Sequence, residues 1–130
     1  MGKVAFVFAG QGAQYSGMGQ SLCEVSPAAK AVFDQADALR PGTSEQCFTG
    51  TAEELSITKN TQPCLYCVDL AAAKALEEAG IHSDYVAGFS LGEIDALSFA
   101  GVFTGEQGFD FVCKRAEAMQ IGRASCRERV

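Results

Sequence analysis

The sequence has 130 residues, of which 48% are hydrophobic and 20% are charged, and its formal net charge is −6. This length suits one domain or part of a larger one, and the apolar fraction excludes a chain that is disordered throughout. The negative charge, with no basic patch before residue 120, makes nucleic acid a poor candidate partner.

The first predicted element is a strand at Lys3–Ala9, an apolar, β-branched and aromatic run that ends at Gly10. Such a run is typical of a buried parallel strand. Its apolar part is shorter than the roughly 7–15 residues of a signal peptide, and no run approaches the roughly 18 residues of a membrane span. We therefore expect a cytoplasmic protein.

Helices are predicted next, at Met18–Val25 and at Pro27–Leu39, where apolar residues recur at helical spacing. Thr51–Glu54 has the pattern of a capping box, in which a threonine is followed three residues later by a glutamate. A longer helix is predicted over Gln62–Ala79, with Gly80 just past its end.

A second buried strand is predicted at Tyr85–Phe89, followed by helices over Leu91–Ala100 and Thr104–Gln120. Strands that alternate with helices indicate an α/β fold with a parallel sheet. Two strands are few for a complete doubly wound domain, so we expect residues 1–120 to be the amino-terminal part of a truncated domain.

Residues 121–130 differ from the rest of the sequence. They hold three of the ten Lys and Arg residues and show no apolar period. One interpretation is a basic tail that binds an acidic partner. The interpretation we favour is a non-native tail, because these residues resemble the translation of a sequencing adapter read through at the end of a DNA fragment.

Six cysteines occur in the sequence, and Cys64 and Cys67 form a C-x-x-C pattern. A zinc site needs a second pair of ligands, but the sequence has one histidine, His82. We predict no metal site. A redox pair stays open as an alternative, and buried helix cysteines are the favoured interpretation, since a free cysteine behaves as a small hydrophobic residue.

The strongest chemical signal is the G-x-S-x-G pattern from Gly88 to Gly92, placed between a predicted strand and a predicted helix. This is the setting of a nucleophile elbow, a turn so tight that the flanking positions must be glycine. It predicts that the Ser90 hydroxyl projects at the amino terminus of a helix. There the Leu91 backbone N–H and the helix dipole can stabilise an oxyanion.

A second signal is the loop that starts with Gly10-Gln11-Gly12 after the first strand. A dinucleotide fingerprint would need glycine at Tyr15, and no Gly-Lys-Ser/Thr of a phosphate-binding loop is present. The carboxyl end of a parallel strand is where ligands gather in α/β sheets. In a serine acyl enzyme, such a loop can supply a second oxyanion N–H.

These patterns together resemble the malonyl-CoA:acyl-carrier-protein transacylases and the acyltransferase domains of polyketide synthases. The resemblance covers residues 1–120 in order. The matching stretches are Phe6–Gln14, Ala52–Leu55, Thr61–Pro63, Ala87–Glu93, Ala100–Val102 and Lys114–Gln120. It implies a partial α/β-hydrolase-like acyltransferase domain, with parallel strands flanked by helices.

The resemblance also implies roles for four residues. Ser90 would be the nucleophile that takes the acyl group, Gln11 and Leu91 would give the oxyanion-hole N–H groups, and Arg115 would bind the free carboxylate of a malonyl group. The partners implied are malonyl-CoA and acyl carrier protein, whose phosphopantetheine thiol accepts the acyl group. The enzyme itself would need no cofactor.

Two departures from the family stand out. Phe89 occupies the place where the family usually has histidine, which leaves the acyl-group preference open. The family's catalytic histidine lies beyond this chain, and His82 is expected at the opposite end of the strand from Ser90, so the chain alone is predicted to be inactive. An esterase of the α/β-hydrolase type and a non-catalytic module that binds acyl carrier protein are the alternatives.

Overall fold

The computed structural model describes residues 2–128, with side chains as far as Ile121. Two strands, β1 and β2, and seven helices, α1 to α7, follow one another in this range. Their bounds are β1 Ala5–Phe8, α1 Gln20–Val25, α2 Pro27–Leu39, α3 Thr43–Thr49, α4 Ala52–Ser56, α5 Thr58–Glu78, β2 Tyr85–Gly88, α6 Leu91–Phe99 and α7 Gly105–Glu128. None of the described helices is long and apolar enough to cross a membrane.

The two strands pair in parallel, with Ala5 opposite Tyr85 and Phe8 opposite Gly88. This register confirms the predicted α/β class, and it places the carboxyl ends of both strands side by side. A hydrogen bond of 3.1 Å from the Phe89 N–H to the Phe8 carbonyl continues the ladder one residue further. The two loops that follow the strands therefore start next to each other.

The core surrounds α5, which packs against α2, α6 and α7. Helix α5 contributes the buried side chains of Leu65, Tyr66 and Leu70 to this core, and α2 contributes Phe33. A second apolar cluster lies between β1 and the helices α5 and α6, and consists of Phe6, Phe8, Ala73 and Ala96. Burial of apolar surface stabilises a fold by about 25 cal/mol per Å². These contacts therefore hold α6 against the sheet.

The prediction that both strands are buried is wrong for one face of the sheet. Phe6 and Phe8 point into the core, but Val7 is 77% exposed and Tyr85 is 62% exposed. Side chains alternate between the faces of a strand, and α5 and α6 cover one face. No described element packs on the other face.

The helices follow the predictions closely, with three differences. Helix α3 was not predicted, because Thr43–Thr49 has no apolar period. Helix α5 begins four residues before the predicted start, and helix α7 continues to Glu128 instead of ending at Gln120. The boundary predicted at residue 120 thus lies within a continuous helix. The side chains beyond Ile121 lie outside the described residues, so the non-native origin of residues 121–130 stays a prediction.

Candidate active site

The turn between β2 and α6 has the geometry of a nucleophile elbow. Ser90 has φ 55° and ψ −110°, and it is the one non-glycine residue with positive φ in the described part of the chain. A conformation of this kind costs about 1–3 kcal/mol and persists only where the surroundings enforce it. A Cβ atom at Gly88 would overlap the carbonyl of Gly92, and one at Gly92 would overlap the carbonyl of Phe8. Both glycines are therefore required by the backbone.

Ser90 is also the N-cap residue of α6, but its side chain makes no capping hydrogen bond. Its hydroxyl is thus available for chemistry. Leu91 is the first residue of the helix, and the first N–H groups of a helix have no acceptor within it. The Leu91 side chain is completely buried, which fixes this N–H beside the serine. The helix dipole adds a partial positive charge at the same end.

The loop after β1 lies directly against the elbow. A Cβ atom on Gly10 would stand 2.6 Å from the Phe89 carbonyl oxygen, so only glycine permits this approach. Gln11 follows, half-buried, and its side-chain Nε2 donates to the Thr58 hydroxyl at 3.2 Å. The structure therefore brings the loop that contains Gln11 next to the elbow that contains Leu91. That their N–H groups bind an oxyanion stays a prediction.

Arg115 of α7 contacts the serine. Its Nη2 donates to the Ser90 Oγ at 3.3 Å, and its Nη1 donates to the Gln62 Oε1 at 2.7 Å. The two residues that the sequence placed 25 positions apart are thus in contact. Within the described residues, Arg115 forms no ion pair, whereas Lys30 and Lys114 pair with aspartates. The site therefore contains a guanidinium group whose charge no described carboxylate balances.

Gln62 is a site residue that the sequence analysis did not single out. Its side chain is 1% exposed, and besides accepting from Arg115 it donates to the Gln11 Oε1 at 3.4 Å and to the Met119 Sδ at 3.0 Å. It thus connects the predicted carboxylate-binding residue with the loop after β1. The available signal was its place in the stretch Thr61–Pro63, which carried part of the family resemblance without a role.

The other residues considered lie away from this chemistry. His82 is exposed, in the loop that precedes β2, and so at the opposite end of that strand from Ser90, as predicted. Cys64 and Cys67 are completely buried on α5, which confirms the structural interpretation of the C-x-x-C pattern. Burial raises the pKa of the Cys67 thiol well above its ordinary value, which makes it a poor nucleophile.

In the described part of the chain, no group of three or more His, Cys, Asp or Glu side chains could hold a metal ion.

Phe89, which precedes the serine, is 74% exposed. Its ring lies next to Gly10, because a Cβ atom there would be 2.9 Å from the Phe89 Cδ1. The residue where the family usually has histidine is therefore an exposed apolar ring beside the loop after β1.

The described residues thus bring together a serine on a strained strand-to-helix turn, the amino terminus of α6 and an adjacent guanidinium group. The chain belongs to the acyl transferase domain family, which matches residues 5–124. Its similar relatives include the malonyl CoA-acyl carrier protein transacylase of Bacillus subtilis strain 168, which is 46% identical over 120 residues. That match covers 92% of this chain and 38% of the relative.

Solved structures give the same picture. The malonyl-CoA:ACP transacylase of Synechocystis matches with a TM-score of 0.86 and 43% identity, over 92% of this chain and 40% of that one. A malonyl-transacylase solved in complex with its type II polyketide synthase acyl-carrier protein matches with a TM-score of 0.85 and 35% identity, over 92% of this chain and 39% of that one. The chain thus has the acyltransferase fold and spans about two fifths of these relatives.

Proposed function

We propose that the full-length enzyme containing this sequence transfers a malonyl group from malonyl-CoA to the phosphopantetheine thiol of acyl carrier protein. One observation carries the proposal. The guanidinium of Arg115, which no described carboxylate neutralises, donates to the Ser90 Oγ at 3.3 Å. An acyl group esterified to Ser90 would extend from this atom, so a carboxylate at its far end falls within reach of the guanidinium.

The reaction proceeds in two steps. The Ser90 oxygen attacks the thioester carbonyl and its proton passes to a general base. The C–S bond then breaks, CoA leaves as the thiol with that proton, and the acyl group stays esterified to the serine. The carrier thiol then attacks the seryl ester and releases Ser90. Each step forms a tetrahedral oxyanion, for which the N–H groups of Leu91 and Gln11 are the proposed donors. The base is a residue outside this chain, because His82 lies at the wrong end of β2.

Arg115 accounts for the choice of acyl group. A guanidinium can grip a carboxylate with two parallel hydrogen bonds, a geometry that lysine cannot supply. Gln62 holds the group in place from a buried position, with its Oε1 at 2.7 Å from Nη1. An esterase that hands its acyl group to water has no need of this clamp, so transfer of a dicarboxylic acyl group is the better explanation.

The same residues fit an acyltransferase that serves polyketide synthesis, and the relative bound to a polyketide acyl-carrier protein favours keeping this second candidate. The two candidates share chemistry and differ in the carrier. In either case the protein supplies no cofactor of its own, since the phosphopantetheine arm belongs to the carrier. Because the substrates are CoA thioesters, we place the reaction in the cytoplasm.

The test is a transfer assay with the full-length enzyme, malonyl-CoA and carriers from fatty-acid and polyketide synthesis, read as malonyl carrier by mass spectrometry. We expect malonyl transfer that Ser90→Ala abolishes, and the preferred carrier decides between the two candidates. Release of free malonate without carrier transfer would identify a hydrolase instead.

A further inference from the structure

Two aspartates outside the acyl-transfer site meet between α5 and α6. Asp95 lies on α6 and is completely buried, and Asp69 of α5 is half-buried. The two helices pack together, and each carboxyl group lies within interaction distance of the other. Both carboxyl oxygens of Asp95 and the Oδ2 of Asp69 have no hydrogen-bond donor among the described residues. A buried carboxylate without a donor or a counter-charge is costly, and two of them in contact would repel each other as well.

No other described group compensates this pair. The titratable groups that interact electrostatically with Asp95 all lie on α5 and are Asp69, Tyr66 and Cys67. No charged residue of β1, β2 or α7 in the described range contributes to its pKa. The Tyr66 hydroxyl is occupied, at 2.9 Å from both the Ser98 Oγ and the Gly105 carbonyl. Lys74 lies over the Phe99 ring, 5.4 Å from its centroid, and pairs with neither aspartate.

We propose that Asp69 and Asp95 share a proton, so that one protonated carboxyl group donates a hydrogen bond to the other across the α5–α6 contact. This arrangement supplies the missing donor and reduces the charge of the pair from −2 to −1. It makes the packing of α6, the helix that begins at the Ser90 elbow, dependent on pH. The proposal stands independently of the function assigned to the elbow.

The electrostatics agree with this geometry. Burial raises the pKa of Asp69 to about 7, and a hydrogen bond donated by a protonated Asp95 would act in the opposite direction. Burial, followed by the charge of Asp69, raises the pKa of Asp95 well above its ordinary value. In the unfolded chain both groups would lose their protons near the ordinary pKa of aspartate, about 3.9.

The sign of the pH effect follows from these shifts. Both pKa values are higher in the folded state, so the folded chain keeps a proton that the unfolded chain has released. The contribution of Asp69 to stability is fully present below the unfolded pKa of about 4 and is lost as the pH rises through its folded value, about 7. The pKa of Asp95 is also raised, and the proton that remains on the pair is the one that the two carboxyl groups share. Between about pH 5 and pH 7, each added pH unit lowers the ratio of folded to unfolded protein about tenfold for each retained proton.

Thermal unfolding of the 130-residue chain, followed by circular dichroism between about pH 5 and pH 8, tests the proposal. We expect the midpoint temperature to fall by about 5 °C for each pH unit between about pH 5 and pH 7. Asp95→Asn keeps the shape and supplies a permanent donor to Asp69, so it should flatten this dependence and raise the midpoint at the upper pH. Asp34→Asn is the matched control, because Asp34 is exposed and paired with Lys30, and it should leave the slope unchanged. An equal slope in the Asp95→Asn variant would overturn the proposal.

Carbon-13 NMR of the aspartate carboxyl groups measures their titration directly in the unsubstituted chain. We expect one aspartate signal to titrate near pH 7, at the value for Asp69, while the exposed aspartates titrate near the ordinary value of about 3.9. Titration of every aspartate near the ordinary value would contradict proton sharing. So would a rise of the midpoint temperature in millimolar MgCl₂ that Asp95→Asn abolishes, because the pair would then hold a cation.

Discussion

Replacement of Arg115 by alanine separates the carboxylate clamp from every other contribution to acyl transfer. The substitution removes the Nη1 bond to the Gln62 Oε1 at 2.7 Å and the Nη2 bond to the Ser90 Oγ at 3.3 Å. Loss of the Ser90 contact affects all acyl groups alike. Loss of the clamp affects only those that carry a carboxylate, so malonyl and acetyl transfer should respond differently.

The size of this difference follows from the chemistry of the lost pair. A hydrogen bond to a charged group contributes about 1.5–3 kcal/mol. At 1.4 kcal/mol for each factor of ten, the preference for malonyl over acetyl should fall by about 10- to 150-fold. Arg115→Lys should give an intermediate preference, because the charge remains and the two-pronged geometry is lost.

The assay compares kcat/KM of the full-length enzyme for malonyl-CoA and acetyl-CoA with one carrier protein. Lys114→Ala is the matched control, since Lys114 is the neighbouring cation on α7 and its ammonium group pairs with Asp110 at 2.9 Å on the surface. This control should leave the preference unchanged. An equal loss for both substrates in Arg115→Ala would show that the arginine only supports the structure.

Three further predictions concern the rest of the site. Gln62→Glu should place a carboxylate on the Arg115 guanidinium and lower malonyl transfer by about tenfold or more while sparing acetyl transfer, because a buried charge pair is stronger than the bond to the neutral amide that it replaces; an unchanged preference would contradict this. Gly92→Ala should lower the free energy of unfolding by about 1–3 kcal/mol, because its Cβ would overlap the Phe8 carbonyl; urea denaturation measures it, and Gly2→Ala, with nothing within 4 Å, is the control. The 130-residue chain alone should not turn over malonyl-CoA, because its one histidine, His82, lies at the opposite end of β2 from Ser90 and general base catalysis contributes about 10²–10⁴-fold; Ser90-dependent turnover near the rate of an intact relative would refute this.

The elbow could be predicted from the sequence because all of its determinants are local. Gly88, Ser90 and Gly92 lie within five residues, between a strand and a helix whose apolar patterns are clear. The capping box at Thr51 was also predictable, and its Glu54 N–H donates to the Thr51 hydroxyl at 3.1 Å. Such features depend on backbone conformation more than on distant contacts.

The start of α5 could not be predicted, because Pro63 is typical of a first helical turn and the residues before it are polar. The structure adds a turn there, stabilised by the Thr61 hydroxyl, which donates to the carbonyls of Leu55 and Ile57. Helix α3 has too few apolar residues for a periodic signal, and Cys47 secures it by packing in the core.

The role of Gln62 escaped prediction for a different reason. Its contact with Arg115 joins residues 53 positions apart, and only the packing of α5 against α7 brings them together. The contact of Asp69 with Asp95 likewise depends on how α5 packs against α6. A sequence pattern shows that such residues are polar within a helix, but it does not show which residue on another helix they meet.

Formation of a malonyl ester on Ser90 tests the central claim most directly. The full-length enzyme is incubated with malonyl-CoA in the absence of carrier protein, quenched in acid, digested and analysed by peptide mass spectrometry. We predict that the mass of one malonyl group appears on the peptide that contains Ser90 and is released when carrier protein is added before quenching. A malonyl label that persists in Ser90→Ala, or that forms on another residue, would contradict it.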